Sequence, residues 1–153
     1  MQVYKDEKKV TMERVFNAPR ELVWKAHTDP KIIVQWWGPR NLTTTIDVMD
    51  VKPGGKWRFV HKDEKGSTFA FNGVYKEIKK PESITWTFNF EPIGPGHELT
   101  ETVTFEEIEG GKTKVSTTSH YNSIEDLEGM MQSGMEAGAT ESWDRLEELL
   151  TKG

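Results

Sequence analysis

The chain is 153 residues long and carries 20 Lys+Arg against 25 Asp+Glu, a formal charge of −5, 35% apolar residues and no cysteine. A chain of this length folds as one domain and hides about 70% of the surface it exposes when unfolded, so no disulfide or structural metal is needed to hold a core. The absence of thiols excludes a cysteine nucleophile, a redox pair and a Cys-type zinc site. The acidic balance, with no basic run longer than Lys8-Lys9 or Lys79-Lys80, argues against nucleic acid as a partner.

No run of about 18 apolar residues is present, so no membrane span is expected. Met1 to Lys9 is polar and charged, without the apolar stretch of a secretion signal, and a cytoplasmic protein is expected. No internal repeat or linker divides residues 1–153, which read as a single domain with its core over about 10–150.

Val10 to Phe16 is the first periodic segment, with Val10, Met12, Arg14 and Phe16 on one strand face. Asn17-Ala18-Pro19 then starts a short helix with Leu22, Val23 and Ala26 on its inner stripe. Thr28-Asp29-Pro30 starts a second, carrying Ile32, Ile33, Trp36 and Trp37, and Gly38-Pro39 ends it. From Thr43 to about Tyr121 the period is that of strands. Thr44, Ile46 and Val48 alternate, and a turn follows at Pro53-Gly54-Gly55. Trp57 and Phe59 alternate before the Asp63–Gly66 turn, and Thr68 to Ile78 is rich in aromatics before Lys80-Pro81-Glu82. Ile84, Trp86, Phe88 and Phe90 form the clearest strand. Leu99–Ile108 and Thr113–Tyr121 flank Glu109-Gly110-Gly111, a hairpin. Short connections imply an antiparallel sheet.

The last segment is expected to be one long helix, roughly Ile124 to Leu150, opened by Ser123 and Asp126 as a capping pair. At about 27 residues it would extend about 40 Å, enough to cross a sheet. Gly129, Gly134 and Gly138 each weaken a helix interior by up to ~1 kcal/mol relative to Ala. Three explanations stand: close approach of helix to sheet, space for a bound molecule, or a helix that bends or starts later.

Several motifs together resemble a known family. They are Phe16-Asn17-Ala18-Pro19 with Val23-Trp24 and Thr28-Asp29-Pro30, Trp36-Trp37-Gly38-Pro39, Gly54-Gly55 before Trp57, and Gly73-Val74-Tyr75 before Pro81-Glu82. Trp86-Thr87-Phe88, Gly110-Gly111-Lys112-Thr113 and Ser142-Trp143-Asp144-Arg145-Leu146 complete the set. The pattern, from about Thr11 to Leu150, resembles homologues of the ATPase activator of the ninety-kilodalton heat-shock chaperone, within the START-like (SRPBCC, helix-grip, Bet v 1-like) superfamily. The terminal helix departs from the family's usual Gly-Trp pair: Gly138 is followed by Ala139, and the Trp stands at 143. The resemblance implies an α+β helix-grip fold: a curved antiparallel sheet, two short helices after the first strand, and a long C-terminal helix across it. It also implies a cavity between sheet and helix.

Parity supplies candidate lining residues. If Trp57 and Phe59 face inward, so does His61; if Leu99, Val103 and Phe105 do, so does Glu101; Arg14 goes with Met12 and Phe16. Arg14, His61 and Glu101 then either orient the polar end of a ligand or form an internal Arg–Glu pair with a histidine near the sheet rim, and the second reading is the simpler. Trp36, Trp37, Trp57, Phe59, Phe71, Trp86 and Phe88, with Met131 and Met135 on the helix, complete the expected lining. Two adjacent indoles cannot share one helix face, so Trp36 or Trp37 is expected near a mouth or surface patch. The four histidines, His27, His61, His97 and His120, lack metal-ligand spacing; no phosphate-cradling glycine loop and no Gly-x-Ser-x-Gly elbow occurs. Neither metal nor cofactor is expected, and no catalytic residue is assigned. The leading expectation is a non-enzymatic binder of a small hydrophobic or aromatic molecule. A chaperone-associated partner-docking module comes second, and a cavity enzyme of hydrolase or cyclase type, with His61 or Glu101 as acid/base, comes last.

Overall fold

The computed structural model describes residues 2–6, 8–94 and 96–151. Among these, eight strands form one antiparallel sheet: β1 (Gln2–Asp6), β2 (Lys9–Phe16), β3 (Thr43–Met49), β4 (Lys56–Lys62), β5 (Thr68–Lys79), β6 (Ser83–Phe90), β7 (Leu99–Ile108) and β8 (Lys112–His120). Their order is β1-β2-β8-β7-β6-β5-β4-β3. All neighbours but one are consecutive in sequence. The exception, β2 beside β8, brings the two ends of the main strand run together. β1 was not foreseen: the polar segment that precedes Lys9 has no apolar alternation, yet it pairs with β2 as an outer edge, Tyr4 opposite Thr11. Edge pairing needs backbone groups rather than buried side chains, so hydropathy does not mark it.

Helices α1 (Arg20–Thr28) and α2 (Pro30–Ile33) follow β2. Asp29 caps α2, its carboxylate accepting from the Lys31 amide at 2.9 Å. α2 is shorter than the sequence suggests: it stops at Ile33, and Trp36 and Trp37 sit in the turns beyond it.

The expected long C-terminal helix is present but starts later than Ile124. There are two helices, α3 (Ile124–Gln132) and α4 (Met135–Thr151), separated at Ser133-Gly134. Gly134 has φ +87°, a left-handed conformation that L side chains rarely adopt, so it ends α3. The start of α3 matches expectation, with Ser123 Oγ accepting from the Asp126 amide at 3.1 Å. Close approach to the sheet does not explain the other two glycines, since a Cβ at Gly129 or Gly138 would meet nothing within 4 Å.

The core fills one side of the sheet. Phe16, Val23, Trp24, Val103, Phe105, Val115, Leu127, Trp143 and Leu146 are buried there as part of one cluster. Trp24 meets Phe105 edge to face at 5.4 Å and Phe16 meets Trp143 at 5.7 Å, locking α1 onto β7 and α4 onto β2. Toward β4–β6 the sheet is pulled out of regular pairing. The Thr87 carbonyl accepts from the Trp57 indole at 3.2 Å, and the Val74 amide donates to Thr87 Oγ1 at 2.9 Å. Gly73 makes this possible, because a Cβ there would run into the Thr87 carbonyl and the Trp57 indole. Gly73→Ala is therefore expected to destabilise the protein by about 2 kcal/mol or more, read from denaturant unfolding. An effect below about 0.5 kcal/mol would mean that the strands accommodate the methyl group by moving apart.

Candidate functional site

Between the sheet and the α3–α4 pair lies a cavity of about 860 Å³. Its floor is built by alternation on successive strands: Trp57, Phe59 and His61 on β4, Phe71 and Tyr75 on β5, Trp86, Phe88 and Phe90 on β6, and Leu99, Glu101 and Val103 on β7. Its roof comes from helix faces that include Met130, Gly138, Ala139, Ser142 and Trp143. Residues 36–39 close one end, and Ile93 and His97 stand across from Glu125 and Asp126 at another. His97 Nδ1 lies 2.8 Å from the Asp126 carboxylate, joining the loop after β6 to α3.

Of the expected lining residues, the structure brings together Trp36, Trp37, Trp57, Phe59, His61, Phe71, Trp86, Phe88 and Glu101. Arg14 is not among them. Its guanidinium reaches past the cavity to α4, donating to Asp144 at 2.7 Å and to Glu147, and lies over the Phe16 ring. The internal Arg–Glu pair is corrected accordingly: Arg14 pairs with α4, whereas Glu101 has no guanidinium partner among the described residues. Met131 packs against the core and its neighbour Met130 lines the cavity instead, a one-residue difference in helical phase. Met135 lies outside the described side chains.

The two adjacent indoles divide as their backbone allows. Trp36 is buried and donates its indole N–H to the Ala26 carbonyl at 2.9 Å. Trp37 is half-buried on the cavity wall, within 5.2 Å of the rings of Phe59, His61 and Phe71. Both reach the same space because the chain between Ile33 and Gly38 has left regular helix.

His61 is 3% exposed, and neither of its ring nitrogens has a hydrogen-bond partner among the described residues. It packs where Gly38, at φ +100°, has no side chain: a Cβ on Gly38 would clash with the imidazole. Burial first, and the nearby Arg145 charge second, push its pKa down to about 4. His27 is also buried, with Nδ1 at 2.8 Å from the Val23 carbonyl, and desolvation lowers it to about 4 as well. Glu101 is held by two donors, the Trp86 indole at 2.9 Å and the Ser119 hydroxyl at 2.8 Å. Desolvation outweighs these and holds its carboxyl above the ordinary carboxylate range.

Sequence reasoning missed His27, Tyr75, Tyr121 and Ser142 as lining residues, along with the His97–Asp126 contact. Strand parity could have found Tyr75, two positions from Gly73. The contact between a loop and α3 leaves no local signal.

This arrangement, a bent antiparallel sheet gripped by C-terminal helices over an aromatic hollow, is the helix-grip architecture of the START-like superfamily. The chain belongs to the Activator of Hsp90 ATPase homolog 1-like family, whose model matches residues 17–151. Solved structures agree on the fold. A Mycobacterium smegmatis protein superposes with a TM-score of 0.87 at 25% identity, covering 98% of this chain and 96% of its own. One from Rhodobacter sphaeroides gives 0.92 at 23% identity over 99% of both chains. One from Arthrobacter aurescens gives 0.90 at 23% identity, over 99% of this chain and 92% of that one. No curated protein matches. Among the described residues no group of three or more His, Asp or Glu could hold a metal ion, and no helix is long and apolar enough to cross a membrane.

The buried imidazoles make stability depend on pH in a defined direction. Unfolded, each takes up a proton near pH 6.5; folded, only near pH 4. Between those values the unfolded chain binds more protons, so stability falls as pH drops, by up to about 3 kcal/mol for His27. Glu101 acts oppositely, because its raised carboxyl gains from protonation in the upper part of the same window. His61→Phe is expected to flatten the acid decline between pH 6.5 and 4.5, measured by denaturant unfolding at stepped pH. A variant profile parallel to the wild type would contradict a neutral, desolvated ring.

Proposed function

We propose that this protein binds a small hydrophobic or aromatic molecule in the cavity between the sheet and the α3–α4 helices, without transforming it. The observation that carries this reading is the cavity's construction. About 860 Å³ is walled mainly by aromatic and aliphatic side chains, in the size range of small-molecule sites. Gly138, on the roof, keeps a helix interior weaker than alanine would, with nothing within 4 Å of where its Cβ would be. A core evolved only for packing gains from filling that space.

A carrier is favoured over a catalyst by the hydrogen bonds within the site. His27 Nδ1 faces a backbone carbonyl, His97 Nδ1 faces Asp126 and His61 has no partner, so among the described residues none of the three cavity histidines is hydrogen-bonded to a hydroxyl that it could activate. The family's name supports a second reading, a chaperone-associated docking module. Its natural surface here would be the acidic face of α4. Those carboxylates already serve the chain itself: Asp144 and Glu147 hold Arg14, Glu148 holds Arg40, and Glu141 accepts from the Arg40 amide. That engagement favours the cavity reading over the docking one.

The test uses N-phenyl-1-naphthylamine, an uncharged fluorescent probe, on the full chain. Saturable one-to-one binding with quenching of tryptophan emission is expected. Gly138→Leu, which fills the roof, is expected to abolish binding while holding or raising thermal stability, since relief of the glycine in a helix is worth about 0.5–1 kcal/mol. Absence of saturable binding to the wild type, or undiminished binding to the variant, would refute the proposal.

A further inference from the structure

The charged side chains that line the cavity are carboxylates. Its ionisable lining consists of Glu101 inside, Glu125 and Asp126 at the mouth, the phenols of Tyr75 and Tyr121, and three imidazoles; no lysine or arginine lines it among the described residues. Arg14 and Arg145 stand outside that lining, with their donors engaged. Arg14 is bound to Asp144 and Glu147, and Arg145 donates to the carbonyls of Gln35, Gly38 and Pro39.

Among the described residues Glu101 is the one carboxyl on the cavity floor, and its position is fixed. The Trp86 indole N–H holds one of its oxygens and the Ser119 hydroxyl the other. A carboxylate offers about four lone-pair sites, so two donors leave capacity for a third. The surrounding wall is aromatic, including Trp57, Trp86 and Phe88, and ring faces attract a positive head. A negative head would instead meet Glu101 in a poorly solvated space whose lining, among the described residues, holds no lysine or arginine.

Resting on the cavity reading above, we infer that the ligand presents a hydrogen-bond-donating, non-anionic head to Glu101, with an aryl-alkyl ammonium preferred to the matching alcohol and the carboxylate rejected. The raised carboxyl agrees with this: its ionised form lacks a countercharge, and an ammonium group would supply one. Glu101 is thus the residue that determines specificity, and Trp86 and Ser119 are the positioning residues behind it.

The experiment compares three probes sharing one apolar body, 1-naphthylmethylamine, 1-naphthalenemethanol and 1-naphthoic acid, titrated by calorimetry into the full-length protein at pH 7. The amine is expected to bind about tenfold tighter than the alcohol, the increment of one charge-assisted hydrogen bond, and the acid weaker still. Glu101→Gln should erase the amine preference and leave the alcohol's affinity within about threefold, because the apolar wall is unchanged. The Trp86 indole N–H resonance, identified with Trp86→Phe, should shift with the amine and less with the alcohol. That signal decides the matter in wild-type protein if Glu101→Gln does not fold. Equal binding of all three probes, or preference for the acid, would overturn the inference and leave the cavity reading intact. If none of the probes binds, both fall.

Discussion

The structure depends on where its last helix is fastened. Arg145 points three carbonyl-directed hydrogen bonds at residues 35, 38 and 39, and Ser142 accepts the Gly38 amide at 2.9 Å. On the other flank, Arg14 on β2 holds Asp144 and Glu147. Together with the Phe16–Trp143 contact, these bonds pin the C-terminal half of α4 to β2 and to the loop after α2. α3 is held by the burial of Leu127 and by the His97–Asp126 contact, and the hollow lies between the sheet and the faces of α3 and the first half of α4. The surface ion pairs are individually weak. Their contribution here is geometric, since the backbone-directed bonds of Arg145 and Ser142 set the distance between helix and loop.

Fastening at one end lets the sheet carry large side chains without crushing them. Trp57, Phe59, Phe71 and Phe88 pack mainly against one another and Trp37, with ring centroids 5.0–6.3 Å apart, rather than against a helix. The wall is therefore largely self-supporting. Gly73 contributes from behind, allowing the Trp57 indole to bond across to Thr87 and turning its ring into position. Gly38 does the same for His61 from the side. Two absent side chains thus shape the wall as much as the rings do.

Much of this was legible in the sequence. Period-two alternation placed Trp57, Phe59, His61 and Glu101 on the inner face, and Ser123, Asp29 and Gly110-Gly111 marked helix starts and a hairpin through local chemistry. What failed has a common cause. Arg14 lies on the inner side by parity, but parity cannot say how far a long guanidinium reaches, and it reached α4. The glycines of the terminal segment could mark a bend, an approach or a void, and the three proved unlike: Gly134 breaks the helix by its left-handed backbone, whereas Gly129 and Gly138 face open space. Composition is identical at those sites; only tertiary surroundings tell them apart. β1, which gains its place through backbone pairing alone, was invisible for the same reason.

The hollow also bears on how the protein responds to compression. Hydrostatic force favours whichever state occupies less space, and a folded chain that leaves apolar room between its layers loses that room when it opens. A domain built this way should yield to kilobar conditions more readily than a solidly packed neighbour of equal thermal resistance.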